Sequence, residues 1–192
     1  MKEGLKLTFP YKKILCHPNI PKPLHGLNPR TINGDSWWNH IRQKVYAKYD
    51  YHCLACGIHK SEAKKHQWLE AHENWEINYS KGECKVDSIQ PLCHYCHQFI
   101  HSGFLSVRKD IYNSEKRLIL QHGFDTLKGS GLKVFKGTWK LAKRLNVKRH
   151  DLRPQITEMI NVADWNEWYL LYNGKKYYSL YKDYADWINR YS

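Results

Sequence analysis

Residues 91–101 of the chain read PLCHYCHQFIH, so a Cys-x-x-Cys pair is followed at once by two histidines that stand four positions apart. A second Cys-x-x-Cys pair lies upstream, and 36 residues separate the two pairs. Four thiolates in two such turns suit one tetrahedral zinc ion, and a site made of four cysteines leaves no open position for a substrate. The spacing therefore predicts a structural zinc that holds a long insert together. Its predicted ligands are Cys53, Cys56, Cys93 and Cys96.

The length and composition exclude a transmembrane helix and favour one domain with appendages. The 192 residues include eight Trp, fourteen Tyr and five Phe, which is ample material for a buried core. The mean hydropathy is −0.74 and no apolar run approaches the length of a transmembrane helix. The first residues contain no signal-peptide core. We therefore expect a cytoplasmic protein, where reducing conditions make paired cysteines metal ligands rather than disulfides.

Positive charge is unevenly distributed along the chain. The formal net charge is +13, yet residues 35–101 carry eight Lys and Arg against eight Asp and Glu. Residues 1–34 carry six against one, and residues 102–153 carry thirteen against four. The region with the cysteine pairs is thus neutral and its flanks are basic. This layout favours binding of a polyanion over a generic solvated lysine surface.

Three regions are predicted from these patterns. Five prolines indicate an irregular, basic N-terminal arm at residues 1–34. Residues 35–104 form the central module, with a helix beginning at Trp37, two strands between the cysteine pairs, and a helix from about Tyr95 that ends at Ser102-Gly103. Residues 105–192 form a basic C-terminal extension.

The extension is predicted to bind nucleic acid. It should contain helices over residues 115–122, with Gly123 as the stop, and over residues 139–148. Asn173-Gly174 predicts a β-hairpin at residues 168–179, followed by a helix over residues 180–190. The residues expected to contact nucleic acid are Lys140, Lys143, Arg144, Lys148 and Arg149.

Candidate catalytic groups lie in and near residues 68–73, which read WLEAHE. Glu70 and Glu73 flank His72 and can orient an imidazole or bind a metal. His97 and His101 share one face of a helix because they stand four apart. A divalent ion held by such groups can stabilise the leaving oxygen of a phosphodiester, and a neighbouring His or Glu can deprotonate the attacking water.

This arrangement resembles the HNH endonucleases, or ββα-metal nucleases, in the subgroup that places the motif between two zinc knuckles. Residues 69–73 resemble the first strand of that motif, residues 88–93 the second strand and residues 96–101 the helix. Residues 28–53 also resemble members of the family from phages and mobile elements. With the extension added, the expected fold is α+β: a zinc-stapled ββα-metal core, a basic helical extension, and a C-terminal β-hairpin plus helix.

The resemblance implies a metal-dependent endonuclease that hydrolyses DNA with Mg²⁺ or another divalent ion, besides the structural Zn²⁺. His72, Glu73 and His97 are the catalytic candidates, and His72, His97 and His101 the ligands of the catalytic ion. Two registers stay open. Either His72 is a metal ligand and Glu73 the general base, or His72 is the base and Ala71 stands where a ligand is usual. Neighbouring strand residues face opposite sides, so His72 and Glu73 would need a bulge to reach one site.

A catalytically inactive, zinc-containing DNA-binding protein on the same scaffold is the alternative. It is favoured by Glu73 and by Ser88, which stands where the family motif has an asparagine that braces the hairpin. An RNA-directed member of the family is a third possibility. A monomer would nick DNA, whereas a homodimer would cut both strands symmetrically.

Overall fold

A computed structural model of the chain describes residues 9–147, Pro154 and residues 162–191. These residues form two compact units. The first unit contains residues 9–17, Val45–His72, residues 90–147 and Pro154. The second contains Pro18–Lys44, Glu73–Ile89 and residues 162–191. The division predicted at residues 34 and 104 stays a prediction.

The fold is of mixed α+β type, with seven helices and four strands in the described part of the chain. The helices are α1 (Pro29–Asn33), α2 (Asp35–Lys48), α3 (His94–Ile100), α4 (Ser102–Val107), α5 (Asn113–Leu127), α6 (Lys136–Arg144) and α7 (Tyr184–Tyr191). The strands are β1 (Glu70–Asn78), β2 (Glu83–Leu92), β3 (Tyr169–Tyr172) and β4 (Lys175–Tyr178). None of the described helices is both long and apolar enough to cross a membrane.

The four strands form one sheet in the order β1-β2-β3-β4. β2 pairs in parallel with β3, from Glu83 opposite Tyr169 onward, and β3 pairs with β4 as an antiparallel hairpin. Asn173 and Gly174 have φ values of 50° and 74°, the left-handed conformations that a type I′ turn requires. The hairpin predicted at residues 168–179 is therefore present, and α7 follows it.

Parts of the N-terminal region are regular and buried, although the prolines predict an irregular arm. α1 is capped by Asn28, whose side chain accepts a hydrogen bond from the backbone of Thr31. Ile14 and Leu15 are buried in the core of the first unit, and Leu24 is buried in the core of the second. Apolar residues between the prolines thus pack into the two cores, which the number of prolines does not predict.

The helix boundaries differ from the prediction: α6 covers Lys136–Arg144 rather than residues 139–148, α7 covers Tyr184–Tyr191 rather than residues 180–190, and two glycines predicted as helix ends are not ends. Gly103 does not end a helix, because α3 ends at Ile100 and α4 continues past His101. Gly123 does not end a helix either, since α5 runs on to Leu127. In both cases a glycine that is typical of helix ends lies inside a helix.

Gly123 lies inside α5 because α3 approaches closely there. A Cβ atom at this position would overlap the ring of Phe99 in α3. Phe99 and Phe124 are both fully buried and meet edge to face, with ring centroids 5.5 Å apart. The pair of helices that carries several candidate ligands is therefore packed through a glycine contact.

We expect Gly123→Ala to lower the free energy of unfolding by about 1–3 kcal/mol, although alanine is the better helix former, because the ring of Phe99 must shift within a close-packed core. Gly137→Ala in α6 is the matched control. A Cβ atom at Gly137 meets nothing within 4 Å, so we expect unchanged stability or a gain of up to about 1 kcal/mol. Urea unfolding measures the free energy of unfolding of both variants. If Gly123→Ala were as stable as Gly137→Ala, the close approach of α3 and α5 would be contradicted.

Of the two cysteines outside the predicted zinc site, Cys16 is half-buried and Cys84 is buried. Burial raises the pKa of Cys16 to about 11 and that of Cys84 to about 12. Cys84 is fully buried in the core of the second unit, beside Trp75 and Leu170. Both residues therefore act as small apolar side chains.

Candidate metal centres

The four paired cysteines come together in the first unit. Their sulfur atoms lie within 4.8 Å of one another, and the Sγ atoms of Cys56 and Cys93 are 3.9 Å apart. Four sulfurs at the usual zinc–sulfur distance place neighbouring sulfurs about 3.8 Å apart. Cys53, Cys56, Cys93 and Cys96 can therefore hold a metal ion such as zinc.

Backbone hydrogen bonds hold both cysteine turns in place. The N–H of Gly57 donates to the carbonyl of Cys53 at 2.9 Å, and Gly57 has a φ of 80° that favours glycine at the end of this turn. Cys93 precedes the first residue of α3 as its N-cap. The N–H of Leu54 donates to the carbonyl of Pro91 at 2.8 Å and joins one turn to the other. The four sulfurs are thus brought together by the backbone as well as by any bound ion.

The thiols favour a bound cation. Side-chain hydrogen bonds with Cys53 and Cys56 raise the pKa of Cys93 and of Cys96, because four neighbouring sulfurs resist carrying negative charge together. A cation at the centre removes this repulsion. A metal bound there would couple the protonation of the cysteines to the folding of the unit.

His122 lies next to the cysteine group and is not among the predicted ligands. Its Nε2 atom lies 3.4 Å from the Sγ atom of Cys96 and 3.8 Å from that of Cys93. An imidazole N–H directed at a thiolate stabilises its negative charge and orients the ligand. The residue lies 26 positions beyond Cys96 in α5, outside any ligand spacing, so no local signal points to it.

We expect His122→Leu to weaken zinc binding about 10- to 100-fold, since it removes a donor next to two ligands. His122→Gln keeps a donor in a similar place and should retain most of the affinity. Competition with a chromophoric chelator measures the dissociation constant of each variant. Equal affinities for His122→Leu and the wild type would show that the imidazole does not support the ion.

Three imidazoles form a second group in the same unit. The ring centroid of His72 lies 5.4 Å from that of His97 and 5.2 Å from that of His101. The ring centroids of His97 and His101 are 4.7 Å apart. One ring nitrogen of each lies within 4.8 Å of the others. β1 supplies His72, α3 supplies His97, and the joint between α3 and α4 supplies His101. The structure thus brings together the three histidines that the sequence predicts as ligands.

Burial keeps two of these imidazoles in the neutral form, which is the form that binds a metal. Burial, with repulsion from neighbouring imidazoles, holds the pKa of His72 well below its ordinary value and lowers the pKa of His101 to about 3. Both are therefore neutral at pH 7, which is the form that binds a metal. His72 is only 2% exposed, and its Nε2 atom has no hydrogen-bond partner among the described residues. Leaving such an atom without a partner costs about 1–3 kcal/mol, and a metal ion would supply the missing interaction.

Glu70 orients His97. Its Oε2 atom accepts a short hydrogen bond from Nδ1 of His97, which leaves Nε2 of that ring as the nitrogen for a metal. Burial alone would raise the pKa of Glu70, but hydrogen bonds from His94 and His97 outweigh it and hold the pKa below its usual value. The sequence indicates that Glu70 can orient an imidazole. The structure identifies His97 as one that it contacts.

Glu73 and Ser88 lie in the second unit. Among the described residues, Glu73 is not a member of any candidate group of metal ligands, so its role as a general base stays a prediction. Ser88 donates its hydroxyl to Oδ2 of Asp87 at 2.9 Å, and Asn74 on the opposite strand donates to the same oxygen at 2.9 Å. Asp87 therefore accepts the side-chain hydrogen bond that links the two strands at this point.

α6 presents a basic face that is anchored next to the histidine group. Leu141 and Ala142 bury the opposite face of the helix in the core of the first unit. The hydroxyls of Ser102 and Thr138 are buried and hydrogen-bonded at 2.6 Å, and Ser102 directly follows His101. The exposed basic residues on α6 include the predicted Lys140, Lys143 and Arg144, whereas Lys148 and Arg149 lie outside the described residues.

The first unit therefore combines two groups of candidate ligands. The four thiols would fill all the positions of a tetrahedral ion, whereas the three imidazoles would leave at least one position free. Thiolates suit zinc, and imidazoles suit first-row divalent ions such as Zn²⁺, Ni²⁺ or Fe²⁺. The first group is suited to hold the chain together, and the second can keep positions free for a substrate. No family model, no curated protein and no solved structure matches this chain.

Proposed function

We propose that the protein is a metal-dependent endonuclease of the HNH type, which hydrolyses phosphodiester bonds in DNA and carries a structural zinc. The convergence of His72, His97 and His101 beside the four-cysteine group is the observation that carries this proposal. A strand supplies the first of these histidines, and α3 with the joint that follows it supplies the others, in the order that the resemblance to HNH nucleases implies. A structural metal site alone would not require a second group of ligands.

His72, His97 and His101 would hold the catalytic divalent ion, which when bound stabilises the negative charge on the leaving oxygen. Glu70 fixes the orientation and the tautomer of His97 through its hydrogen bond to Nδ1. Burial keeps His72 and His101 uncharged, so they do not repel a cation. Three nitrogen ligands favour a transition ion over Mg²⁺, which prefers oxygen ligands.

Two residues stay open as the general base. In one register His72 binds the metal and Glu73 removes the proton from water. In the other register His72 itself removes the proton. The low pKa of His72 makes it a weak base, and its neighbours His97 and His101 favour its role as a ligand. The neighbouring imidazoles therefore favour His72 as a metal ligand, and in that register Glu73 stands where the resemblance implies a general base.

The basic face of α6 is the proposed contact with the DNA backbone. Lys140, Lys143 and Arg144 are exposed, and the Ser102–Thr138 hydrogen bond ties their helix to the joint that carries His101. Contacts of this kind are made with phosphates, so they provide affinity rather than choice of sequence. Their strength should fall steeply with salt.

An inactive DNA-binding protein on the same scaffold is the second candidate. It is favoured by Glu73, which is not the residue usual at this position of the family motif, and by Ser88, which replaces the usual asparagine and hydrogen-bonds to its neighbour Asp87. In this case the four-cysteine group and the basic helix would keep their roles. The histidine group would bind metal without cleaving DNA.

Incubation of supercoiled plasmid with Mg²⁺, Mn²⁺, Ni²⁺, Zn²⁺ or EDTA tests the proposal. Conversion to open-circular or linear DNA that requires a divalent ion is the expected result, and the product reports whether one or both strands are cut. Retarded but uncut plasmid under every condition would reject the nuclease and favour the inactive DNA-binding protein.

A further inference from the structure

The second oxygen of Glu70 faces a different pair of histidines. Oε1 lies 2.7 Å from Nδ1 of His94 and 3.1 Å from Nε2 of His66, while Oε2 accepts from His97. The ligand atoms of His66, Glu70 and His94 all lie within 4.8 Å of one another. Neither His66 nor His94 has a part in the proposed nuclease. One carboxylate therefore contacts imidazoles on both of its oxygens.

The three side chains are held in place and largely shielded from water. Their exposed fractions are 13% for His66, 22% for Glu70 and 14% for His94. His66 stacks on Trp68 with parallel rings and centroids 3.7 Å apart. Its Nδ1 atom is buried without a hydrogen-bond partner in the described part of the chain. The polar contact of this ring is therefore the one that Nε2 makes with Glu70. The orientation of this ring thus depends on the trio itself and on one aromatic contact.

The distances suit a small divalent ion. Ligand bonds of about 2.0–2.1 Å in a tetrahedral site place neighbouring nitrogen and oxygen atoms about 3.3 Å apart. The observed separations of 2.7 and 3.1 Å are slightly shorter, and modest rotations of the side chains would open them around an ion. Nε2 of His94 lies 4.0 Å from a carboxylate oxygen of Glu115, which places negative charge behind that ligand.

We propose that His66, Glu70 and His94 form a further metal site, which binds a first-row divalent transition ion such as Zn²⁺. Two imidazoles and one carboxylate are an established ligand set for such ions, and they leave at least one position free. Glu70 links this site to the three-histidine group, because one of its oxygens serves each. The proposal goes beyond the nuclease function and does not depend on DNA cleavage.

Zinc content tests the proposal without any measurement of activity. Each protein is loaded with excess Zn²⁺ and dialysed, and its zinc-to-sulfur ratio is determined by elemental analysis, with six cysteines and two methionines as the internal standard. We expect His66→Gln and His94→Gln each to hold about one zinc fewer than the wild type. His40→Gln changes an exposed histidine of α2 and should leave the zinc content unchanged. Glu70 is not varied because it contacts both groups of histidines.

Two further proteins separate this site from the others. His101→Ala should lose its own zinc, so that His66→Gln combined with His101→Ala loses about two. Cobalt(II) bound to the four cysteines gives a thiolate charge-transfer absorption, which reports that the first unit is folded in each variant. Equal zinc content in the wild type, His66→Gln and His94→Gln would overturn the proposal. If neither variant folds, the zinc content of the wild type decides. A wild-type chain that binds only the zinc held by the four cysteines and the zinc lost in His101→Ala would overturn the proposal as well.

Discussion

Cys96→Ser is expected to abolish zinc binding and to unfold the first unit. Cys96 is fully buried, and the core around it includes Phe99 and Leu120. A structural zinc site contributes an apparent free energy of about 10–16 kcal/mol, which equals or exceeds the whole stability of an ordinary domain at about 5–15 kcal/mol. Loss of one ligand therefore removes most of the stability of this unit. Zinc analysis and the far-ultraviolet circular dichroism of the purified variant measure the two effects.

Cys16→Ala is the control for this prediction. Cys16 is a half-buried thiol outside the four-cysteine group, so its replacement should cost about 1 kcal/mol and leave the zinc content unchanged. Removal of zinc from the wild type with a chelator should reproduce the unfolding of Cys96→Ser. A Cys96→Ser variant that remained folded and retained its zinc would show that the four cysteines do not form a structural site.

His72→Ala is expected to reduce DNA cleavage by at least about 10²–10⁴-fold and to leave DNA binding almost unchanged. The ring of His72 lies 5.4 Å from that of His97 and 5.2 Å from that of His101, and the residue is 2% exposed, so both candidate roles, ligand and base, require its imidazole. The residue is not part of the basic face of α6, which should continue to bind phosphates. Single-turnover cleavage with saturating enzyme measures the rate, and a gel-shift titration of the same DNA measures the affinity.

His40→Ala, at an exposed histidine of α2, is the control and should cleave at the wild-type rate. Circular dichroism of His72→Ala must match the wild type, because the substitution leaves a cavity beside buried groups. Wild-type cleavage rates in a folded His72→Ala protein would locate the active site elsewhere. A parallel loss of binding and cleavage would instead show that His72 supports the DNA-binding surface.

Sequence spacing alone predicts those groups whose members are close along the chain. Cys-x-x-Cys places two sulfurs on one turn, and a four-residue interval places His97 and His101 on one side of a helical segment. Asn173-Gly174 predicts the hairpin, because left-handed conformations at both positions favour these residue types. The geometry of one turn is local, so neither the core nor the rest of the chain is needed to predict it.

The sequence by itself therefore determined the two cysteine turns, the four-residue interval between His97 and His101, and the C-terminal hairpin. Only the tertiary structure decided which distant side chains complete these groups. His122 meets a cysteine 26 positions away, and Glu70 meets His94 24 positions away. Gly123 lies inside a helix rather than at its end, because the ring of Phe99 occupies the space beside it. Such contacts depend on how helices and strands pack, and packing is not encoded in the spacing of residues along the chain.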